Sequence, residues 1–252
     1  MNPFVASPST CPARELDDAL AFCRDLGLSR FEVFSDWAKS HFDFSISAEA
    51  YRARCEAQGL TITSFHLPVL KAGEPLNEVI RYAEAAKTMG AGVVIFRADS
   101  LETYQSRLPE FLDVAAPLGL ATVLSHHTGT PIETPAHMKT ILDTVDDPRL
   151  HCLLEIGHLA KKGFYWREAY DDMRGRLDLV HLKEMKGTGS APYGEGDIDF
   201  VDIFRTLAAD GYRGYYVIEM EYGNAREREP HVKPGVNYLL EQWRKFEAAD
   251  EA

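Results

Sequence analysis

Four segments of this chain, DLGLSRFEVF, AQGLTITSFH, TMGAGVVIFR and PLGLATVLSH, share one pattern: the end of a helical stretch, a glycine, then a β-rich apolar run. The glycines are Gly27, Gly59, Gly90 and Gly119, spaced by 32, 31 and 29 residues. Glycine suits the left-handed residue that follows a helix, where a Cβ is strained. Between these points the apolar residues keep a helical period. Leu76, Val79, Ile80, Ala83 and Ala86 share one face, as do Phe200, Ile203, Phe204 and Leu207, and Val236, Leu239, Leu240 and Trp243. Thr134 before Pro135 reads as an N-cap followed by a first helical residue.

Eight strand-like runs stand along the chain: PFVAS, RFEVFS, TITSFH, GVVIFR, ATVLSH, LHCLLE, LDLVHL and YYVIEM. Alternation with helices implies parallel strands joined by right-handed crossovers. Eight even units, with no glycine-rich phosphate turn after the first strand, favour a closed α/β barrel over an open doubly wound sheet. The expected fold is therefore a single (β/α)8 TIM barrel, one domain over residues 1–252.

The formal charge of −12 disfavours nucleic acid and anionic lipid as partners. No run reaches the ~20 apolar residues that span a bilayer. MNPFVASPST lacks the basic and apolar segments of a secretory signal. Cys11, Cys23, Cys55 and Cys152 have no paired spacing and read as reduced thiols. The expectation is a soluble cytoplasmic protein.

In such a barrel, catalytic groups sit at the C-terminal strand ends, and the unusual polar residues of this chain fall there. Glu32 lies on strand two, His66 ends strand three and Arg97 strand four. Strand five ends in Ser125-His126-His127, and strands six to eight end in LLEIGH, LVHLKE and VIEME. Side chains alternate along a strand, so Val123, Ser125 and His127 share one face, as do Leu153 and Glu155, Leu179, His181 and Lys183, and Val217, Glu219 and Glu221. With that face inward, His127, Glu155, His181 and Glu219 converge, and His126 points toward the helices or the rim. Two carboxylates and two imidazoles suit Mn²⁺, Mg²⁺, Co²⁺ or Zn²⁺, and the lack of a placed thiolate leans toward the harder metals. The bland reading of any one of them is a rim ion pair. For four successive strands it is harder to sustain, because unpaired buried charge is costly.

At LEIGHL, VHLKE and GEGDIDF followed by YYVIEME the sequence resembles the xylose-isomerase-like TIM-barrel family. That group includes sugar isomerases and epimerases, inosose dehydratase, dehydroshikimate dehydratase and endonuclease IV. The resemblance covers nearly the whole chain. It implies metal ligands at Glu155, His181 and Glu219, with a fourth on strand five. There the family usually carries a glutamate, whereas this chain has SHHTGT, closest to the inosose dehydratases. His127, or a water held by Ser125, is the expected fourth ligand. Glu155 replaces the usual aspartate on strand six, and Glu184 another on strand seven.

The family's shared step is proton abstraction beside a carbonyl, with a divalent metal steadying the developing charge. The resemblance implies Glu219, His127 and His158 as catalytic groups, with His66, Arg97, Lys183 and Glu184 contacting substrate. Glu32 is expected to orient a ligand. The leading expectation is a metal-dependent isomerase or epimerase of a sugar or polyol ketone. The alternative is an inosose-dehydratase-like lyase that eliminates water, or an aglycone, through the same chemistry. An endonuclease is disfavoured by charge, and a metal-free sugar-binding protein stays open. KGTGSAPYGEGD (186–197) reads as a mobile loop over the mouth, with Asp197 or Asp199 capping the next helix. NAREREPHVKPG (224–235) reads as a polar connection that could touch substrate or a second copy in a homo-oligomer.

Overall fold

The computed structural model describes residues 2–250. Each strand-like run forms a strand: β1 (Phe4–Ala6), β2 (Arg30–Phe34), β3 (Thr61–Leu70), β4 (Val93–Ala98), β5 (Ala121–Ser125), β6 (Leu150–Glu155), β7 (Leu177–Leu182) and β10 (Tyr215–Ile218). These eight are parallel and close in the order β1-β10-β7-β6-β5-β4-β3-β2. Helices α1 (Leu16–Asp25), α2 (Ala48–Ala57), α3 (Asn77–Met89), α4 (Leu101–Ala115), α5 (Pro135–Val145), α6 (Ile156–Lys161), α7 (Trp166–Met173), α8 (Phe200–Ala209) and α9 (Ala225–Asp250) complete the barrel.

The repeated glycines end helices as the spacing predicts. Gly90 follows α3 with φ 92°, and its N–H reaches back to the carbonyls of Ala86 and Lys87. Thr134 accepts the N–H of His137 at the start of α5, and Asp199 accepts that of Asp202 at the start of α8. β3 runs longer than its apolar signal, through Pro68. The register with β4 shifts between His66 and Val69, and such a bulge accommodates a residue that cannot donate to the ladder.

Two segments differ from expectation. Residues 186–197 are not simply a loop: β8 (Met185–Lys186) and β9 (Gly189–Ser190) pair there as a small antiparallel ribbon. The polar stretch at 224–235 is no extended connection, because α9 begins at Ala225 and carries Pro230 and Pro234. Asn224 Oδ1 accepts the N–H groups of Arg226 and Glu227, while Glu227 Oε2 accepts the N–H of Asn224. This is a capping box, strong enough to start a helix in a polar, proline-containing segment.

The core has two parts. The larger lies between barrel and helices. At the seat of α8 and α9, Phe204 meets Tyr216 and Trp243 edge-on at centroid distances of 4.9 and 5.1 Å, contacts that add about 0.5–1.5 kcal/mol each beyond burial. The smaller part is a plug on the barrel axis: Val5, Ile95, Val123, Leu153, Leu179 and Val217, all fully buried. Two residues further along the same strands stand Ser7, Arg97, Ser125, Glu155, His181 and Glu219. Alternation alone therefore places a polar layer directly on an apolar one. All four cysteines are free and buried. Among the described residues, no helix is long and apolar enough to cross a membrane.

Candidate active site

His181 lies at the centre of the polar layer, 1% exposed. The strand register sets it beside Val217 and Glu155. Its Nε2 donates to Glu32 Oε2 at 3.2 Å. Its Nδ1 lies 3.2 Å from Glu155 Oε1 and 3.4 Å from Glu219 Oε1. Glu32, fully buried on β2, accepts a further bond from Ser64 Oγ at 2.8 Å, and His66 Nε2 stands 3.2 Å from its other oxygen. Ser7 Oγ reaches Glu219 Oε1 at 3.4 Å.

Lys183 is 4% exposed. It donates to Glu221 Oε2 at 2.6 Å, meets His158 Nε2 at 3.0 Å, and lies 3.4 Å from Glu219 Oε2. Its stem passes against Gly157, where a Cβ would come within 2.5 Å of Lys183 Cβ. The glycine of LEIGHL is therefore the gap through which the lysine reaches the site.

Burial opposes the charge on each of these groups, and their mutual attraction outweighs it. Burial would push His181 down, but Glu155, Glu32 and Glu219 hold it well above the usual imidazole range. Burial would raise Glu32, yet His181 and His66 bring it to about 2. Glu155 and Glu219 are lowered against their burial chiefly by His181, joined at Glu219 by Lys183. His158 behaves in the opposite way: burial dominates and holds it at about 3, so the ring is neutral. Lys183 Nζ meets its Nε2, while Nδ1 accepts the N–H of Thr128 at 3.3 Å and stands 2.7 Å from Thr128 Oγ1.

Four carboxylates (Glu32, Glu155, Glu219 and Glu221) thus surround two cationic side chains (His181 and Lys183), leaving two negative charges uncompensated. Glu155 Oε2 and His181 Nδ1 are buried without a hydrogen-bond partner. Oxygens of Glu155 and Glu219 and a ring nitrogen of His158 lie within 4.8 Å of one another, as do donor atoms of Glu32, His66 and His181. Orphaned donor atoms beside excess negative charge fit a divalent cation. With Glu32 holding Nε2–H of His181, a cation that displaced the Nδ1 proton would meet a lone pair facing the Glu155–Glu219 pair, the arrangement by which a carboxylate orients a metal-binding histidine.

The other expected residues lie as follows. His127 lines the cavity but belongs to neither cation-sized group. Its ring lies on His158 (centroids 3.8 Å apart, planes at 36°), and its Nδ1 faces the Thr128 carbonyl at 2.8 Å. The turn after β5 lays the ring on His158 of α6, so the structure does not bring His127 into either group. Ser125 lines the cavity, and His126 is buried on the opposite face. Arg97 also lines the cavity, but its guanidinium is committed to Leu67 O, Ser35 Oγ and Asp36 Oδ2. Glu184 departs from its expected place on substrate. Its carboxylate accepts the N–H groups of Met185, Gly194 and Ile198 and so fixes the loop around β8 and β9. Glu221 closes the YYVIEME motif but had no role assigned to it, Ser7 was legible only from the strand alternation, and Trp37, which lines the cavity with Glu221, had no sequence signal.

An inosose dehydratase from Clostridium perfringens is 27% identical over 169 residues, covering 59% of this chain and 54% of that protein. Inosose dehydratase 2 of Bacillus cereus is 24% identical over 237 residues, covering 76% and 77%. The chain spans about half the length of the first of these relatives. A crystal structure described as an IolI protein with a bound zinc atom superposes with a TM-score of 0.75 at 15% identity, covering 97% of both chains. The model of the xylose isomerase-like TIM barrel family matches residues 20–242, and the chain belongs to that family.

Proposed function

We propose that this protein is a metal-dependent carbon–oxygen lyase that removes water from a cyclic polyol ketone of the inosose type. The relatives named inosose dehydratase support this alternative over the isomerase or epimerase expectation. The carrying observation is the make-up of the end of β5. Where a second glutamate base would be needed for symmetric epimerisation, this chain has Ser125 and then His127, whose ring stacks on His158 beside Glu155 and Glu219.

Glu155, Glu219 and His181 are the residues that would hold the cation, with Glu32 orienting His181. Bound there, a divalent ion supplies Lewis acidity to a carbonyl oxygen. His127 donates Nδ1–H to the Thr128 carbonyl, which leaves the Nε2 lone pair free to take the proton from carbon beside the carbonyl. Neutral His158 supports that ring without opposing its charge. The protonated His127 then returns the proton to the neighbouring hydroxyl, which leaves as water while the carbon–carbon double bond forms. Lys183, held as an ammonium by Glu219 and Glu221, offsets negative charge on the substrate oxygen.

Incubation with inososes in deuterated buffer, read by mass spectrometry, tests this. A product lighter by one water is expected. Mass conserved apart from deuterium uptake would restore the isomerase reading.

A further inference from the structure

The cavity above the polar layer measures about 560 Å³, more than the twelve heavy atoms of an inosose fill even at ~30 Å³ for each water-sized group. The unfilled part has a different chemistry. Of the three large hydrophobic side chains exposed among the described residues, Trp37 (62%) and Val69 (40%) line this one cavity, together with Phe34. Phe34 ends β2, Trp37 follows it and Val69 stands on β3, whereas Ser125 and Glu155 end β5 and β6.

Trp37 is held in place rather than simply left outside. Its φ of 69° lies in the left-handed region that a bulky side chain avoids. Arg97 pins the neighbouring Asp36 at 2.9 Å, the N–H of Ala38 closes on Asp36 O, and the N–H of Phe42 bonds Phe34 O. Phe34 forms a row between His66 (centroids 4.3 Å) and Trp37 (5.9 Å), leading outward from the polar layer. Strain retained to present an indole to water at a cavity lip points to a ligand that covers it.

We propose that Trp37, Phe34 and Val69 form an outer subsite for a second ring, so that the substrate is a polyol ketone bearing a ring substituent with an apolar face. This rests on the proposed reading of the inner site. Aromatic rings and the C–H face of a sugar share the chemistry that an indole recognises, and the test separates these sources.

Binding of inosose carrying an O-methyl, O-benzyl or O-glucosyl group is measured by calorimetry and by tryptophan emission. The O-benzyl or the O-glucosyl compound is expected to bind at least tenfold more tightly than the O-methyl one; whichever does so names the source. Trp37→Ala abolishes the preference while affinity for unsubstituted inosose stays within twofold, and Trp37→Phe restores most of it. Equal affinity for all three in the unaltered protein, or a preference that survives Trp37→Ala, overturns the subsite. Failure of every ketone to bind counts against the inner site instead. In that case phenyl β-glucoside is compared with methyl β-glucoside: tryptophan quenching by the phenyl compound alone, lost in Trp37→Ala, supports the subsite, and no difference between the two compounds, or quenching that survives Trp37→Ala, overturns it.

Discussion

Two layers of the same barrel, one alternation apart, make opposite use of burial. In the lower, Val5, Ile95, Val123, Leu153, Leu179 and Val217 fill the axis with carbon. In the upper, Glu155, His181 and Glu219 are equally withdrawn from water yet charged. The lower layer gains about 1.5–3 kcal/mol per aliphatic side chain from burial. The upper layer recovers the cost of burying its charges only through mutual attraction, and a buried ion network is weak evidence for stability. Stability and chemistry are thus separated along each strand by two residues, and substitutions in the two layers should fail in different ways.

The largest expected effect is on turnover. Glu219→Gln keeps the shape of the layer but removes a charge facing both His181 and Lys183. It should lower kcat/KM on a turned-over inosose at least a thousandfold, about 4 kcal/mol of barrier, with the thermal midpoint displaced by only a few degrees. Leu153→Ala, one alternation below Glu155, should do the reverse. A cavity on the axis costs about 2–5 kcal/mol of stability, measured by urea unfolding, while activity at low temperature largely survives.

Acid sharpens the comparison from outside both layers. His126, on the helix-facing side of β5, has neither ring nitrogen bonded, and burial lowers it to about 4. The unfolded chain takes up this proton below about 6.5, whereas the folded chain resists until about 4. Stability attributable to His126 is therefore full above pH 6.5 and falls as the pH drops toward 4, by about 3 kcal/mol. His126→Leu should flatten that part of the stability–pH curve relative to the unaltered protein, and an unchanged slope would refute the assignment. The smallest effect belongs to Glu32→Gln. It retains a partner for Nε2–H of His181 while removing the carboxylate's charge, and should weaken divalent-metal affinity about 10–100-fold with little change in the unfolding midpoint.

The barrel was legible because its signals are local and repeated: glycine after helix, alternation along strands and caps at Thr134 and Asp199 each speak for a few residues. The upper layer was legible for the same reason, since Val123–Ser125, Leu153–Glu155, Leu179–His181 and Val217–Glu219 follow from alternation alone. What alternation did not reach lies beyond strand ends, where it no longer applies. His127 stands two residues past β5, and the turn to Thr128 carries it onto His158. Glu184 looked like a site carboxylate because it follows His181 and Lys183, but its partners are loop amides ten and fourteen residues onward. The helix at 225 was hidden by its prolines, although Asn224 and Glu227 had the spacing of a capping box. Trp37 had no warning at all, because its placement depends on Arg97 of another strand reaching Asp36.

The claim on which everything depends is that the upper layer holds a divalent cation between Glu155, Glu219 and His181. Elemental analysis of purified protein, stripped of metal and reloaded with Mn²⁺ or Zn²⁺, tests it directly when run beside Glu155→Ala. One ion per chain in the unaltered protein, lost in the variant while the circular-dichroism spectrum stays the same, is the predicted result. No stoichiometric ion in the unaltered protein, or equal loading of both, would contradict the account.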